Sequence, residues 1–172
     1  LYTPYRYGYR FIGWKTKDGN YAYSGDIVKI TSSQKLVADW VPLSVKVTFD
    51  TQGGDMESET ITVEYASAYG KLPVPVKEGY TFKGWLNDSG RAVTDQTTVL
   101  IADNHTLTAS WEANEYTLRF VSNSDADYGD EKRVKYDSAY GELPVPERTG
   151  YKFIKWTDSN GNTVFEDDIV KI

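Results

Sequence analysis

The side chains best suited to chemistry are the five tryptophans, which recur at one spacing. The offset is 71 residues each time, from Trp14 to Trp85 to Trp156 and from Trp40 to Trp111. A row of exposed indole rings could stack on sugar rings, whereas a small unit without disulfides needs large aromatic side chains in its core. We interpret the tryptophans as core residues. Five tyrosines are better candidates for surface contacts: Tyr5, Tyr7, Tyr21, Tyr23 and Tyr128.

A calcium loop is a second chemical possibility. Asp125, Asp127 and Asp130 are closely spaced around Gly129, which faintly resembles an oxygen-rich Ca²⁺ loop. The segment lacks the distal bidentate Glu, and its counterpart at residues 54–59 is acidic without the same ligand pattern. We therefore predict a solvated acidic loop, with no metal and no cofactor.

Catalytic residues are scarce in this sequence. His105 is the only histidine, its counterpart in the first copy is Gln34, and there is no cysteine. A Ser-His-Asp set could be built only around His105. Carboxylates for glycoside chemistry are plentiful, but units of this size rarely form a cleft deep enough for a substrate. We predict that the chain is not an enzyme.

Fixed-period self-similarity is the strongest organising signal. The segment Gly79-Tyr80-Thr81-Phe82-Lys83-Gly84-Trp85 has counterparts that begin at Gly8 and Gly150, without gaps. Such periodicity is typical of a tandem array. We divide the chain into repeat one, the second half of a unit at residues 1–44; repeat two, a complete unit at residues 45–113; and repeat three, a unit without its last strand at residues 114–172.

The composition of the chain excludes some classes of binding partner. The net charge of −6 argues against nucleic acid, which requires a basic surface. No run approaches the roughly 20 apolar residues of a membrane-spanning helix. The absence of cysteine fits either a reducing cytoplasm or a bacterial surface protein built without disulfides.

Hydrophobic periodicity predicts the elements of repeat two. Val45, Val47 and Phe49 alternate with polar residues as in a half-buried strand, and residues 61–65 restart the alternation as the second strand of a hairpin. Residues 67–72 suit a single helical turn halted by Pro73. Further strands are predicted near residues 80–85, 92–93 and 107–111.

The expected fold is therefore α+β and β-rich, with four to five short strands and one short helix per unit. The predicted core consists of aromatic positions that mostly recur between copies: Trp14, Trp40, Phe49, Tyr80, Phe82, Trp85, Trp111, Phe120, Tyr151, Phe153 and Trp156.

Residues 68–85, followed by Leu107-Thr108-Ala109-Ser110-Trp111, resemble the Listeria–Bacteroides repeat, the B-repeat type of internalin-like surface proteins. The resemblance implies tandem β-grasp-like, ubiquitin-related modules on secreted or wall-anchored bacterial proteins. It also implies stalk and adhesion roles and supplies no catalytic residues. Two positions depart from the pattern, since Lys155 replaces a Gly and Tyr2 replaces a Pro.

Three functions remain open. The leading hypothesis is a non-catalytic stalk or spacer at the bacterial cell surface, whose partners are adjacent repeats of the same chain. The alternatives are a multivalent binding module for a host or cell-surface protein or glycan, and a self-associating filament subunit. The acidic loop differs strongly between copies, with Asp55-Met56-Glu57 against Ala126-Asp127-Tyr128, which favours the spacer.

Overall fold

The computed structural model describes residues 1–22, 33–121 and 131–171 of the chain. These residues form twelve β-strands joined by turns, and no helix occurs among them. The strands are β1 Tyr9–Lys15, β2 Tyr21–Ala22, β3 Val37–Pro42, β4 Ser44–Asp50, β5 Thr60–Glu64, β6 Tyr80–Leu86, β7 Ala92–Val93, β8 His105–Ala113, β9 Glu115–Arg119, β10 Glu131–Lys135, β11 Trp156–Thr157 and β12 Thr163–Val164.

Repeat two forms a five-stranded sheet in the order β5-β4-β8-β6-β7. β4 pairs with β5 as an antiparallel hairpin and with β8 in parallel. The predicted alternation in β4 is confirmed, since Val45, Val47 and Phe49 are buried while the residues between them are exposed. Leu107 of β8 is fully buried beside them. The core of this repeat therefore lies on one face of its central parallel pair.

The helical turn predicted at residues 67–72 is wrong. Ala66 takes a left-handed backbone conformation with φ of 64°, which turns the chain out of β5. The Tyr69 N–H then donates to the Thr97 carbonyl, and the Gly70 N–H donates to the Asp95 carbonyl. Because these backbone groups bond to a distant segment, no i to i−4 helical ladder forms. The fold is all-β, and the expected α+β, β-grasp-like unit with one helix is corrected accordingly.

Repeats one and three contain parts of the same pattern. In repeat one, β1 lies between β2 and β3, and both pairs are antiparallel. In repeat three, β9 pairs with β10 and β11 pairs with β12. β11 has two residues where β1 and β6 have seven, since the counterpart of the β3 and β8 partner strand falls after the last residue of this sequence.

The chain divides into two compact bodies. The first contains Leu1–Pro75 with Gly84–Ser110, and the second contains Val76–Lys83 with Trp111–Ile172. Each body includes one place where a repeat passes into the next. Residues 1–22, 33–121 and 131–171 include no helix with the length and apolar character that a membrane crossing requires.

Candidate functional site

The candidate calcium ligands Asp125, Asp127 and Asp130 lie outside the described residues, as do Tyr23 and Tyr128. Within the part of the chain that the structure describes, no three His, Cys, Asp or Glu side chains come together as a metal site would require. The calcium hypothesis therefore gains no geometric support from the described residues.

His105 makes structural contacts. Its Nε2 lies 2.7 Å from the Tyr69 hydroxyl, and its Nδ1 lies 2.9 Å from the Asp103 carbonyl oxygen. Because a carbonyl only accepts, Nδ1 carries a proton, and in the neutral ring Nε2 accepts from the hydroxyl. Burial raises the pKa of Tyr69, which keeps that hydroxyl protonated as a donor. The ring thus links β8 to the segment after β5.

The tryptophans pack against other rings. The Trp85 side chain is 2% exposed, its Nε1–H donates to the Pro73 carbonyl at 2.8 Å, and its ring lies 4.6 Å from that of Phe49. Trp156 repeats this arrangement. Its Nε1–H donates to the Pro144 carbonyl at 2.7 Å, and its ring centroid lies 5.0 Å from that of Phe120. The Trp85 indole is buried and the Trp156 indole is half-buried against Phe120, which argues against sugar stacking at these two positions.

The remaining predicted core positions differ in burial. Phe49, Trp85 and Phe120 are buried, and Tyr151 is 68% exposed. The half-buried positions are Trp14, Trp40, Tyr80, Phe82, Trp111, Phe153 and Trp156. Trp14 is half-buried like Trp156, although only Trp156 has a counterpart of Phe49 in this sequence.

The tyrosines proposed for surface contacts also differ. Tyr5 is 85% exposed and Tyr7 is 49% exposed. Tyr21 is half-buried, and its hydroxyl donates to Asp39 at 2.5 Å. Lys15 pairs with the same carboxylate at 2.8 Å. The Lys15 and Tyr21 hydrogen bonds hold the pKa of Asp39 below its ordinary value, so this carboxylate is a stable acceptor on the sheet of repeat one.

A tight turn recurs at residues 6–9, 77–80 and 148–151, and we name it the Gly-Tyr turn. In each copy the N–H of the closing tyrosine donates to the carbonyl three residues earlier, at 3.1 Å for Tyr9 and Tyr80 and 3.0 Å for Tyr151. Each first residue is cationic and lies over that tyrosine ring, as Arg6 does at 3.8 Å. The glycine before the tyrosine has a positive φ, as at Gly8 with 77°.

The first Gly-Tyr turn is where repeat one meets repeat two. The Leu43 N–H donates to the Gly8 carbonyl at 2.9 Å, and the Tyr65 N–H donates to the Leu43 carbonyl at 2.8 Å. The Tyr65 ring covers the turn and contacts Tyr9 edge-on, with ring centroids 5.5 Å apart. A methyl group at Gly8 would overlap the Tyr65 ring. Glycine is therefore required here both by its φ and by the ring that lies against it.

The second Gly-Tyr turn repeats this junction in the other body. The Asn114 N–H donates to the Gly79 carbonyl and the Tyr136 N–H donates to the Asn114 carbonyl, both at 2.9 Å. The Tyr80 and Tyr136 rings are 5.7 Å apart, and a methyl group at Gly79 would overlap the Tyr136 ring. The sequence reasoning missed both junctions, although Tyr65 and Tyr136 already stood at equivalent positions.

Comparison with known proteins then assigns the family. The model of the Listeria-Bacteroides repeat domain matches residues 1–39, 46–110 and 116–172, which together make up most of the chain. The chain belongs to the Listeria-Bacteroides repeat family. The resemblance noted in the sequence is thereby confirmed. No solved structure matches the chain.

Three larger proteins contain a region similar to this chain. A Gly-rich membrane protein of Evansella cellulosilytica is 34% identical over 90% of this chain, and a membrane protein of the same organism is 31% identical over 97%. Internalin H of Listeria monocytogenes is 32% identical over 64%. The chain spans only 18%, 26% and 20% of these relatives, respectively.

Polar groups surround the second junction of the Listeria-Bacteroides repeats. The Tyr80 hydroxyl donates to Asp137 at 3.0 Å, and Lys171 forms an ion pair with the same carboxylate. The Lys171 and Tyr80 hydrogen bonds hold the pKa of Asp137 below its ordinary value. The Thr81 hydroxyl donates to the Asn114 side chain at 2.7 Å. These contacts add a polar rim to a junction whose centre is aromatic.

Proposed function

We propose that this chain is a non-catalytic stalk or spacer segment of a bacterial cell-surface or secreted protein, which projects other domains of that protein. The family and the relatives described as membrane proteins or as an internalin support this setting. The proposal needs no cofactor. Its partners are first of all the neighbouring repeats of the same chain.

The observation that carries the proposal is the recurrence of the junction. A single residue, Leu43 or Asn114, separates the last strand of one repeat from the first strand of the next. That residue bonds through its N–H to the Gly-Tyr turn and through its carbonyl to the docked tyrosine. A link that is both short and hydrogen-bonded restricts the motion of successive repeats, which is the property that a spacer needs.

The exposed side chains differ between repeats, which disfavours a repeated binding face. Tyr2, Tyr5 and Tyr7 are exposed in repeat one, at 75%, 85% and 49%. Their counterparts in repeat two are Pro73, Val76 and Glu78. A multivalent binder would be expected to present the same contact groups in each copy. In this chain the features that recur at both junctions are backbone hydrogen bonds and a tyrosine ring packed on glycine, all made within the chain itself.

Single-molecule force measurement tests the spacer directly. Residues 1–172 are held between two handles, and extension is recorded as the load rises. We expect one constant folded length until a repeat unfolds in a discrete step, because the junctions hold. Lengthening at low load, before any unfolding step, would contradict the proposal. A glycan array and a panel of matrix proteins form the second arm, in which saturable binding would favour the binding module.

A further inference from the structure

The third Gly-Tyr turn is shaped like the other two, but no ring from the described residues is docked on it. We propose that residues 148–151 are a preformed docking site for a further Listeria-Bacteroides repeat, which binds through the tyrosine at the end of its second strand. This inference deepens the proposed spacer function, on which it rests for the kind of partner.

The turn already has the docking conformation. Gly150 has a φ of 83°, close to the 77° of Gly8 and the 74° of Gly79. The Tyr151 N–H donates to the Arg148 carbonyl at 3.0 Å, as in the other two copies. The Arg148 guanidinium lies 4.0 Å from the centre of the Tyr151 ring. The turn is therefore already ordered, so a partner that binds it does not have to offset the loss of conformational entropy.

This turn is uncovered within the part of the chain that the structure describes. A methyl group at Gly150 would meet no described atom within 4 Å, whereas the same group at Gly8 or Gly79 would overlap a tyrosine ring. Tyr151 is 68% exposed, while Tyr9 and Tyr80 are half-buried. The difference corresponds to the ring of Tyr65 in one junction and of Tyr136 in the other.

The two occupied copies identify the occupant. In both, an aromatic ring lies flat against glycine, and a backbone N–H from a one-residue linker reaches the glycine carbonyl. In both, the tyrosine is followed by a residue with positive φ and then by a serine whose hydroxyl donates to a carbonyl at 2.6 Å, as Ser67 and Ser138 do. The expected partner is thus a repeat hairpin ending in Tyr-x-Ser.

An extended chain tests this docking. After Ile172 we append a copy of residues 102–172, which keeps the period and supplies both the missing strand and the next hairpin. The matched control carries Tyr136→Ala in the appended copy only. Hydrogen exchange at the Tyr151 amide is measured in both proteins. We expect protection at this amide to be at least about tenfold greater with the tyrosine than with the alanine, as for a locally closed element.

Two further variants keep the result interpretable. Tyr136→Phe in the appended copy should retain the protection, because the ring rather than the hydroxyl covers the turn. Gly150→Ala should abolish the extra protection in the extended chain. Equal exchange at Tyr151 in the tyrosine and alanine extensions, with both folded by circular dichroism, would overturn the inference. The spacer proposal is judged separately, by the force measurement on residues 1–172.

Discussion

The two junctions of this chain share a centre and differ at the rim. In each, a glycine with positive φ lies beneath a tyrosine ring, and one linker residue bonds to both partners. At the rim of the first junction the further contacts involve an aromatic side chain. The Tyr7 ring lies 5.6 Å from that of Tyr65, and the Tyr7 hydroxyl accepts from the Ala102 N–H. At the rim of the second junction the further contacts are polar, because Asp137 accepts a hydrogen bond from Tyr80 and forms an ion pair with Lys171.

The positions responsible for this difference correspond in sequence. Ala66 stands where Asp137 stands, and Leu100 stands where Lys171 stands. Backbone hydrogen bonds and a ring packed on glycine demand particular shapes, so they recur in both copies. Exposed ion pairs contribute little to stability, so they vary between copies at low cost. Four experiments test this distinction between the shared centre and the variable rim.

The largest effect is expected from Gly79→Ala and from Gly8→Ala. Each substitution places a methyl group in steric overlap with a tyrosine ring and also forces alanine into a left-handed backbone conformation. We expect the junction to lose about 2–5 kcal/mol, from about 1–2 for the backbone and about 1–3 for overpacking. Amide exchange at Tyr136 and Tyr65 measures the free energy of opening each junction.

Gly150→Ala in residues 1–172 is the matched control for that prediction. Its φ is as positive as that of Gly79, but no described ring lies against it. The loss should therefore be limited to the backbone term of about 1–2 kcal/mol. If all three alanine variants lose the same amount, the docked ring adds nothing and the proposed centre of the junction is wrong.

A gain in stability is expected at the first junction from Ala66→Asn. Ala66 has a φ of 64° at an exposed position, and asparagine tolerates this conformation better than alanine. The free energy of unfolding should rise by about 1 kcal/mol, read as a higher urea midpoint. Ala68→Asn serves as the control, because Ala68 is also exposed but has no positive φ. Equal midpoints for the two variants would contradict the argument.

The sequence was a good guide wherever local pattern determines structure. Alternation at Val45, Val47 and Phe49 located β4, and a polar turn before Ala92 located β7. The same alternation identified the hairpin between β4 and β5. In these segments the side-chain period and the turn chemistry are both properties of a few neighbouring residues.

Local pattern was insufficient where contacts are distant. Residues 67–72 resemble a helical turn, but their N–H groups bond to residues 95–97, and Ala66 has already turned the chain. The junctions were missed for a related reason. Tyr65 and Gly8 each repeat visibly, yet only the fold brings one against the other. The third copy shows the same limit, because Tyr151 was predicted to lie in a core and is instead 68% exposed.

Acid should weaken the second junction by protonating Asp137, and the first junction has no equivalent carboxylate to protonate. The pKa of Asp137 is held below its ordinary value of 3.8, with Lys171 the largest cause, followed by Tyr80 and more distantly Lys77. The stability that it contributes is therefore complete above about pH 4 and is lost as the pH falls through its lowered pKa. Ala66 offers no carboxylate at the equivalent place.

Amide exchange protection of Tyr136 and Tyr65, compared between about pH 6 and about pH 2, measures this difference. Asp137→Asn is the control, since asparagine keeps the left-handed backbone but has no charge to lose. The acid-dependent part of the Tyr136 response should vanish in that variant. An unchanged response would assign the acid sensitivity to other carboxylates.

The smallest effect is expected from removing one hydroxyl. Tyr80→Phe deletes the hydrogen bond to Asp137, whereas Tyr9→Phe deletes no hydrogen bond among the described residues. The pKa of Asp137, followed by NMR of its carboxyl carbon, should rise toward its ordinary value in Tyr80→Phe. Lys171→Met should raise it further, because the lysine is the larger cause. The reverse order would mean that the hydroxyl, which belongs to the recurring Gly-Tyr turn, holds the carboxylate. The ionic rim would then be an extension of the shared centre rather than an addition peculiar to the second junction.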